Sequence, residues 1–214
     1  TRVLPDGTKQ SVADLGGGPN GAAVGPDGAC YVCNNGGFNW ITEPDGFLRP
    51  HGRADSYVKG GIQRVDLATG KADWLYTECN GNPITGPNDI VFDSDGGMWF
   101  TDHGIREHRT ADFTGIYYAK TDGTMIKEVI FPTESPNGIG LSPDGTKLYW
   151  AETYTGRVYQ ATITAPGETT PFSSIDPSGL LCGLPGLQFL DSLAVDGDGD
   201  RPRCGGHRIE FNTT

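Results

Sequence analysis

The chain has 214 residues, of which 36% are hydrophobic, and its 16 Lys and Arg stand against 27 Asp and Glu, a net charge of −11. That acidic balance argues against non-specific nucleic-acid binding, which needs a basic patch, and suits a protein that attracts cations. No run of about 18 apolar residues is present, so no membrane span is expected. The start, TRVLPDGTKQ, lacks a basic stretch followed by an apolar one, so no signal peptide is expected either. The cysteines (Cys30, Cys33, Cys79, Cys182 and Cys204) are odd in number and scattered, a poor disulfide framework that predicts reduced thiols and a cytoplasmic setting. Cys30 and Cys33 in CYVC lie inside a strand pattern, where residues three apart point to opposite faces, and so read as thiols rather than a zinc half-site.

Taken in chain order, two kinds of hairpin alternate. A polar one opens the sequence (TRVLPDGTKQSVADL). An apolar one follows, GPNGAAVGPDGACYVCNNGG, starting at Asn20. After the insertion FNWITEPDGFLRPHGRADSYVKG comes a second polar hairpin, GGIQRVDLATGKADWLYT. The apolar pattern returns at Asn88 (GPNDIVFDSDGGMWFTDHG), the polar one at TGIYYAKTDGTMIKEVIF, and the apolar one again at Asn137 (SPNGIGLSPDGTKLYWAE). A polar hairpin, GRVYQATITAPGETTPFSS, precedes the last apolar start, LDSLAVDG, at Asp191. Each Asp-Gly pair suits a tight hairpin, because Gly accepts positive φ and Asp bonds its own backbone.

An apolar hairpin followed by a polar one makes a four-stranded unit, and repeats of roughly 40–50 residues with four strands each predict an all-β propeller. About four to five blades are expected, with the apolar hairpins innermost. If Asn20, Asn88, Asn137 and Asp191 begin the inner strands, they ring one mouth of the central channel. The hairpins return Asn34, Asn35, Asp102, His103, Glu152 and Thr153 to the same mouth, and Asp89 also lies there. Amide oxygens and carboxylates without a Lys or Arg among them predict a site for a hard cation. The Asp residues of the PDG and SDG turns fall at the opposite face and read as turn residues.

These motifs resemble the gluconolactonase/regucalcin (senescence marker protein) family of six-bladed, metal-dependent propeller hydrolases, over nearly all of the chain to about Gly199. The resemblance implies one divalent cation, Ca²⁺ or alternatively Zn²⁺. It implies Asn137 and Asp191 as metal ligands, Asn88 as a ligand of metal or substrate, and Asp191 also as general base or nucleophile. Asn20 would line the pocket. The family's Glu ligand, which belongs to a hairpin before the first polar one, has no counterpart in this sequence. The propeller domain is assigned to residues 1–199. The stretch DRPRCGGHRIEFNTT reads as an aberrant tail, 200–214, because Pro cannot serve a central strand. The expected molecule is a propeller truncated at both ends.

The functional expectation is a metal-dependent hydrolase of lactones or related esters. Phosphotriester hydrolysis and a non-catalytic calcium-binding fragment are the alternatives. His103 is either a proton shuttle or a loop cap. Glu152 and Trp40 are candidate substrate contacts. The insertion that holds Trp40, Phe47, His51 and Tyr57 either walls an apolar pocket or is a loose excursion; His51, His108 and His207 carry no role. Exposed blade edges predict a homodimer or higher oligomer that uses residues 1–15 and 187–205.

Overall fold

The computed structural model describes residues 1–196 and 209–213. The tail residues 200–208 and 214, with Cys204 and His207, and the part of the expected interface at 197–205 lie outside the described residues. Among the described residues no helix is long and apolar enough to cross a membrane.

Three antiparallel sheets follow one another along the chain. Strands β1 (Arg2–Val3) and β2 (Lys9–Gln10) form a short polar hairpin. Strands β3 (Pro19–Val24) and β4 (Cys30–Asn34) form the first apolar hairpin. The insertion folds as its own hairpin of β5 (Phe38–Thr42) and β6 (Leu48–Arg53). Strands β7 (Gly61–Val65) and β8 (Ala72–Tyr76) then complete a four-stranded sheet in the order β3-β4-β7-β8. A small hairpin, β9 (Glu78–Cys79) with β10 (Asn82–Pro83), leads to the second sheet. That sheet is β11 (Pro87–Phe92), β12 (Gly97–Asp102), β13 (Thr114–Lys120) and β14 (Ile126–Thr133). The third is β15 (Pro136–Leu141), β16 (Lys147–Glu152), β17 (Arg157–Ala165) and β18 (Glu168–Thr169), with β19 (Leu180–Gly183) also paired to β17. Strand β20 (Leu190–Val195) pairs with β21 (Ile209–Thr213).

The innermost strands touch in the order β3, β11, β15, β20, so the sheets stand side by side as blades around one axis. This is the incomplete propeller that the repeats predict. Strand β20 pairs with β21, so part of the stretch assigned to the tail supplies the second strand of a fourth inner hairpin.

Because blades pack on both faces, successive side chains of a strand enter different cores. Met98 and Phe100 of β12 join Tyr31, Cys33, Ile62 and Tyr117 between the first and second sheets. Trp99, one residue away, joins Tyr118, Leu148, Trp150 and Tyr159 between the second and third. Tyr149 and Ala151 then pack with Val158, Leu190 and Leu193 on the far side of the third. That is why GMWF and KLYW read as unbroken apolar runs. Cys33 and Cys79 are buried thiols in the first of these cores.

The turn Asp residues behave as expected at two copies. Asp27 accepts from Ala29 N at 3.1 Å and Asp144 from Thr146 N at 3.0 Å. In the middle copy Asp93, not Asp95, takes this role, accepting from Gly97 N at 2.9 Å.

The Gly after Asn has a different use from the turn Gly. Gly21 and Gly138 lie inside strands, where the blades approach most closely. A Cβ on Gly21 would stand 2.3 Å from Asn88 O, and one on Gly138 would stand 2.3 Å from Leu193 N. Both obstacles are backbone and cannot swing aside. Gly138→Ala is therefore expected to destabilise the fold by about 1–3 kcal/mol. Gly183→Ala, whose Cβ would meet nothing nearer than 3.8 Å, should change it far less. Equal urea midpoints for the two variants would contradict this account of the axis.

Candidate functional site

Every inner hairpin carries the same irregularity. Pairing is regular up to one end and then slips between Pro19 and Ala22, Pro87 and Ile90, Pro136 and Ile139, and Leu190 and Leu193. The residues inside these β-bulges are Asn20-Gly21, Asn88-Asp89, Asn137-Gly138 and Asp191-Ser192. A bulge re-aims the side chains it carries and recurs beside functional sites. The repeated Asn positions of the sequence are bulge positions.

Contacts between blades bring the bulges together. Gly21 lies on Asn88 and Asp89. Thr101 Oγ1 accepts from Asp89 N at 3.1 Å and donates to Asn137 O at 2.6 Å. Ile139 N donates to Asp89 Oδ2 at 3.4 Å. Asn137 Nδ2 donates to Thr153 Oγ1 at 3.0 Å, and that hydroxyl donates to Leu190 O at 2.7 Å, one residue before Asp191. Burial raises the Asp89 carboxyl above its usual range, and the Asp191 charge adds to the effect. Asn20 is exposed, Asn88 and Asp191 are half-buried, and Asn137 is buried.

Asn137 Oδ1 is buried and has no hydrogen-bond partner among the described residues. A buried acceptor left unpaired costs about 1–3 kcal/mol. The amide is held by its other end, through Nδ2, at Thr153 Oγ1. Among the described residues no three His, Cys, Asp or Glu side chains cluster to hold a metal. The hard-oxygen side chains that could hold a cation on these bulges are the amides of Asn88 and Asn137 and the carboxylate of Asp191. Three hard oxygens fit Ca²⁺ better than a thiol- or imidazole-seeking metal.

The polar residues at the ends of the second strands do something else. Asn34, Asp102 and Glu152 each pair with the Pro that precedes a bulge. Asn34 Oδ1 accepts from Gly18 N at 2.9 Å and Gly36 N at 3.0 Å, and its amide donates to Gly16 O and Gln63 Oε1. Asp102 accepts from Thr85 N, Gly86 N and Gly104 N at 2.9, 2.7 and 3.0 Å. Glu152 accepts from Glu134 N at 3.2 Å and Thr155 Oγ1 at 3.0 Å. All three are buried clamps that join the loop entering the first strand to the loop leaving the second. Glu152, a candidate substrate contact from sequence, is occupied in this way.

His103 stands half-buried beside Asp102, with Nδ1 3.2 Å from Gly104 O. A carbonyl can only accept, so Nδ1 carries the proton. Burial holds the ring below its ordinary pKa, the Gly104 carbonyl and the Asp191 charge pull the other way, and Arg106 lowers it further. A neutral ring with its proton on Nδ1 leaves Nε2 as a free acceptor. His103 packs on Tyr154 with ring centroids 5.8 Å apart, and Tyr154 meets Phe189 edge-on at 5.9 Å. The Arg106 guanidinium lies 4.0 Å over Tyr154 and reaches Glu134 at 2.5 Å. A cation thus belongs to this rim, where the sequence pattern predicts none. Tyr154, Phe189 and Arg106 escape sequence reasoning because they lie in irregular loops. Their only signal is adjacency: two residues after Glu152, two before Asp191 and three after His103.

Trp40 is 59% exposed on β5. What ties that hairpin to the loop after β12 is Arg53, whose N–H donates to Glu107 Oε1 at 3.3 Å, and what ties the following segment is Tyr57, whose hydroxyl donates to Thr85 O at 3.0 Å. The insertion is an ordered hairpin rather than a loose excursion.

Residues 1–209 match the family described as SMP-30/Gluconolactonase/LRE-like region. The chain belongs to this family. A lactonase, drp35, of Staphylococcus epidermidis is 34% identical over 190 residues, which is 88% of this chain and 50% of the relative. A gluconolactonase of Zymomonas mobilis is 30% identical over 139 residues, 62% of this chain and 33% of the relative. This member of the SMP-30/gluconolactonase family thus spans at most about half the length of either relative. The solved gluconolactonase of Xanthomonas campestris superposes with a TM-score of 0.64 at 23% identity, covering 88% of this chain and 56% of that one, which shows the shared propeller fold.

The clamps yield a pH prediction. Burial pushes Asp102 up from 3.8 to about 6 against the pull of its three N–H donors. A carboxyl with a raised folded pKa binds its proton more tightly in the folded state. Its contribution is complete below 3.8 and is lost as pH rises through about 6. Across that window the wild type should lose about 3 kcal/mol relative to Asp102→Asn. Chemical denaturation of both proteins at a series of pH values checks this, and parallel stability profiles would contradict it.

Proposed function

We propose that this chain hydrolyses lactones at the mouth of the propeller channel, with one divalent cation, Ca²⁺, held by Asn88, Asn137 and Asp191. The observation that carries the reading is the buried, unpartnered Asn137 Oδ1 on a bulge beside Asp191. The lactonase and gluconolactonase names of the relatives support the substrate class. When bound, the cation supplies a Lewis acid for a carbonyl oxygen and lowers the pKa of a bound water.

The chain's own residues do the rest. Asp191 accepts the proton of the attacking water as general base. His103 Nε2, unprotonated and facing the same charge, holds or passes that proton onward. Tyr154 and Phe189 present aromatic surface next to Asp191 and help to orient the ring of the substrate and exclude water. Asn20, exposed on the first bulge, contacts the part of the substrate farthest from the reacting carbonyl.

The test is a turnover assay on a sugar lactone and an aryl lactone, with and without a chelator. Activity should vanish with chelator and return with added Ca²⁺. Asp191→Asn should lower kcat by about 10²–10⁴-fold, the usual worth of a general base. Asn20→Ala should cost far less. Chelator-resistant turnover, or unchanged turnover in Asp191→Asn, would overturn the reading.

A further inference from the structure

A cavity of about 410 Å³ lies against the outer strands of the second sheet, and none of the bulge residues lines it. Its walls include Thr85, Asp112, Phe113, Tyr117, Glu128 and Phe131. That volume is within the range of small-molecule sites, which pair aromatic walls with a few polar groups. Phe113 and Phe131 are 66% and 53% exposed, so their rings face the opening rather than the core. Tyr117 is buried at the inner side, stacked on Phe100 at 5.1 Å, and its hydroxyl donates to Glu128 Oε1 at 3.0 Å. Thr85 Oγ1 is buried with no hydrogen-bond partner among the described residues.

The charges here share one sign. Glu128 has no ion-pair partner among the described residues. Asp112 has Arg53 at 3.9 Å, which offsets one carboxylate. Asp102 lies behind the wall: burial pushes the Tyr117 hydroxyl far above its ordinary pKa, and the charges of Asp102 and Glu128 push it further. A cavity with exposed Phe rings and a carboxylate that has no ion-pair partner among the described residues matches the chemistry that holds ammonium ions. The rings and the carboxylate attract the charge.

We propose that this cavity binds a small organic cation of the quaternary-ammonium class. The cavity wall contains none of the bulge residues, and the proposal does not depend on the hydrolytic reading.

Calorimetric titration of the purified chain with choline, and with its uncharged carbon isostere dimethylbutanol, tests the proposal. Choline should bind saturably with a dissociation constant on the order of 1 mM or tighter. The isostere has the same shape and should bind about tenfold more weakly. Phe131→Ala and Glu128→Gln should each weaken choline about fivefold or more; neither residue is in the fully buried core, and circular dichroism checks that both variants fold. Asp191→Asn should leave choline binding unchanged. Equal affinity for the two probes, no saturable choline binding, unchanged affinity in both cavity variants, or loss in Asp191→Asn would overturn it.

Discussion

The β-bulge at the head of each inner strand is the constraint on which the rest depends. A regular antiparallel ladder sends successive side chains to opposite faces, and both faces here are packed cores. A regular strand would bury Asn88 or Asn137 between blades, where a polar group needs a partner. The slip in register at Pro19, Pro87, Pro136 and Leu190 releases one pair of residues per blade from that alternation. Those residues leave the ladder's register while the strands behind them continue into the core. Gly21 and Gly138, the second residues of two bulges, let neighbouring blades close on one another without a Cβ between them.

A bulge must be held, and the clamps do this. The Pro before each of the first three bulges has no N–H to donate, so the ladder is weakest there. Across from it stands Asn34, Asp102 or Glu152, whose side chain gathers the neighbouring loop N–H groups instead. The acidic and amide groups at this end of the blades therefore divide into two sets. One set spends its hydrogen-bonding capacity on the scaffold. In the other set, of Asn88, Asn137 and Asp191, Asn137 commits its amide nitrogen to Thr153 and leaves Oδ1 without a partner among the described residues. His103 follows Asp102 of the first set, is anchored at Nδ1 to Gly104 O, and feels the charge of Asp191 of the second.

The fold was legible because its signals are local and repeated. Asp-Gly turns, two-sided apolar runs such as GMWF and KLYW, and the recurring Asn starts all survive as strands and hairpins. The division of the polar residues was not legible, because Glu152 and Asp191 are chemically alike and differ only in which backbone donors surround them. Those donors come from loops as distant as Glu134 and from the geometry of a bulge that no single residue announces. Nothing in Asn-Gly announces that Gly138 serves as clearance for Leu193. The rim aromatics Tyr154 and Phe189 and the cation Arg106 were hidden because their contacts join separate loops. Insertion residues were visible, but their anchors, Arg53 and Tyr57, depend on Glu107 and Thr85 of the following blade.

The side-chain amide resonances of the Asn residues separate scaffold from site most directly. Followed by NMR during a Ca²⁺ titration, the Asn88 and Asn137 side-chain signals should move together and saturate, while those of Asn34, committed at both its oxygen and its nitrogen, should stay in place. Movement of Asn34 with Asn88 and Asn137 silent would contradict the division between clamps and ligands.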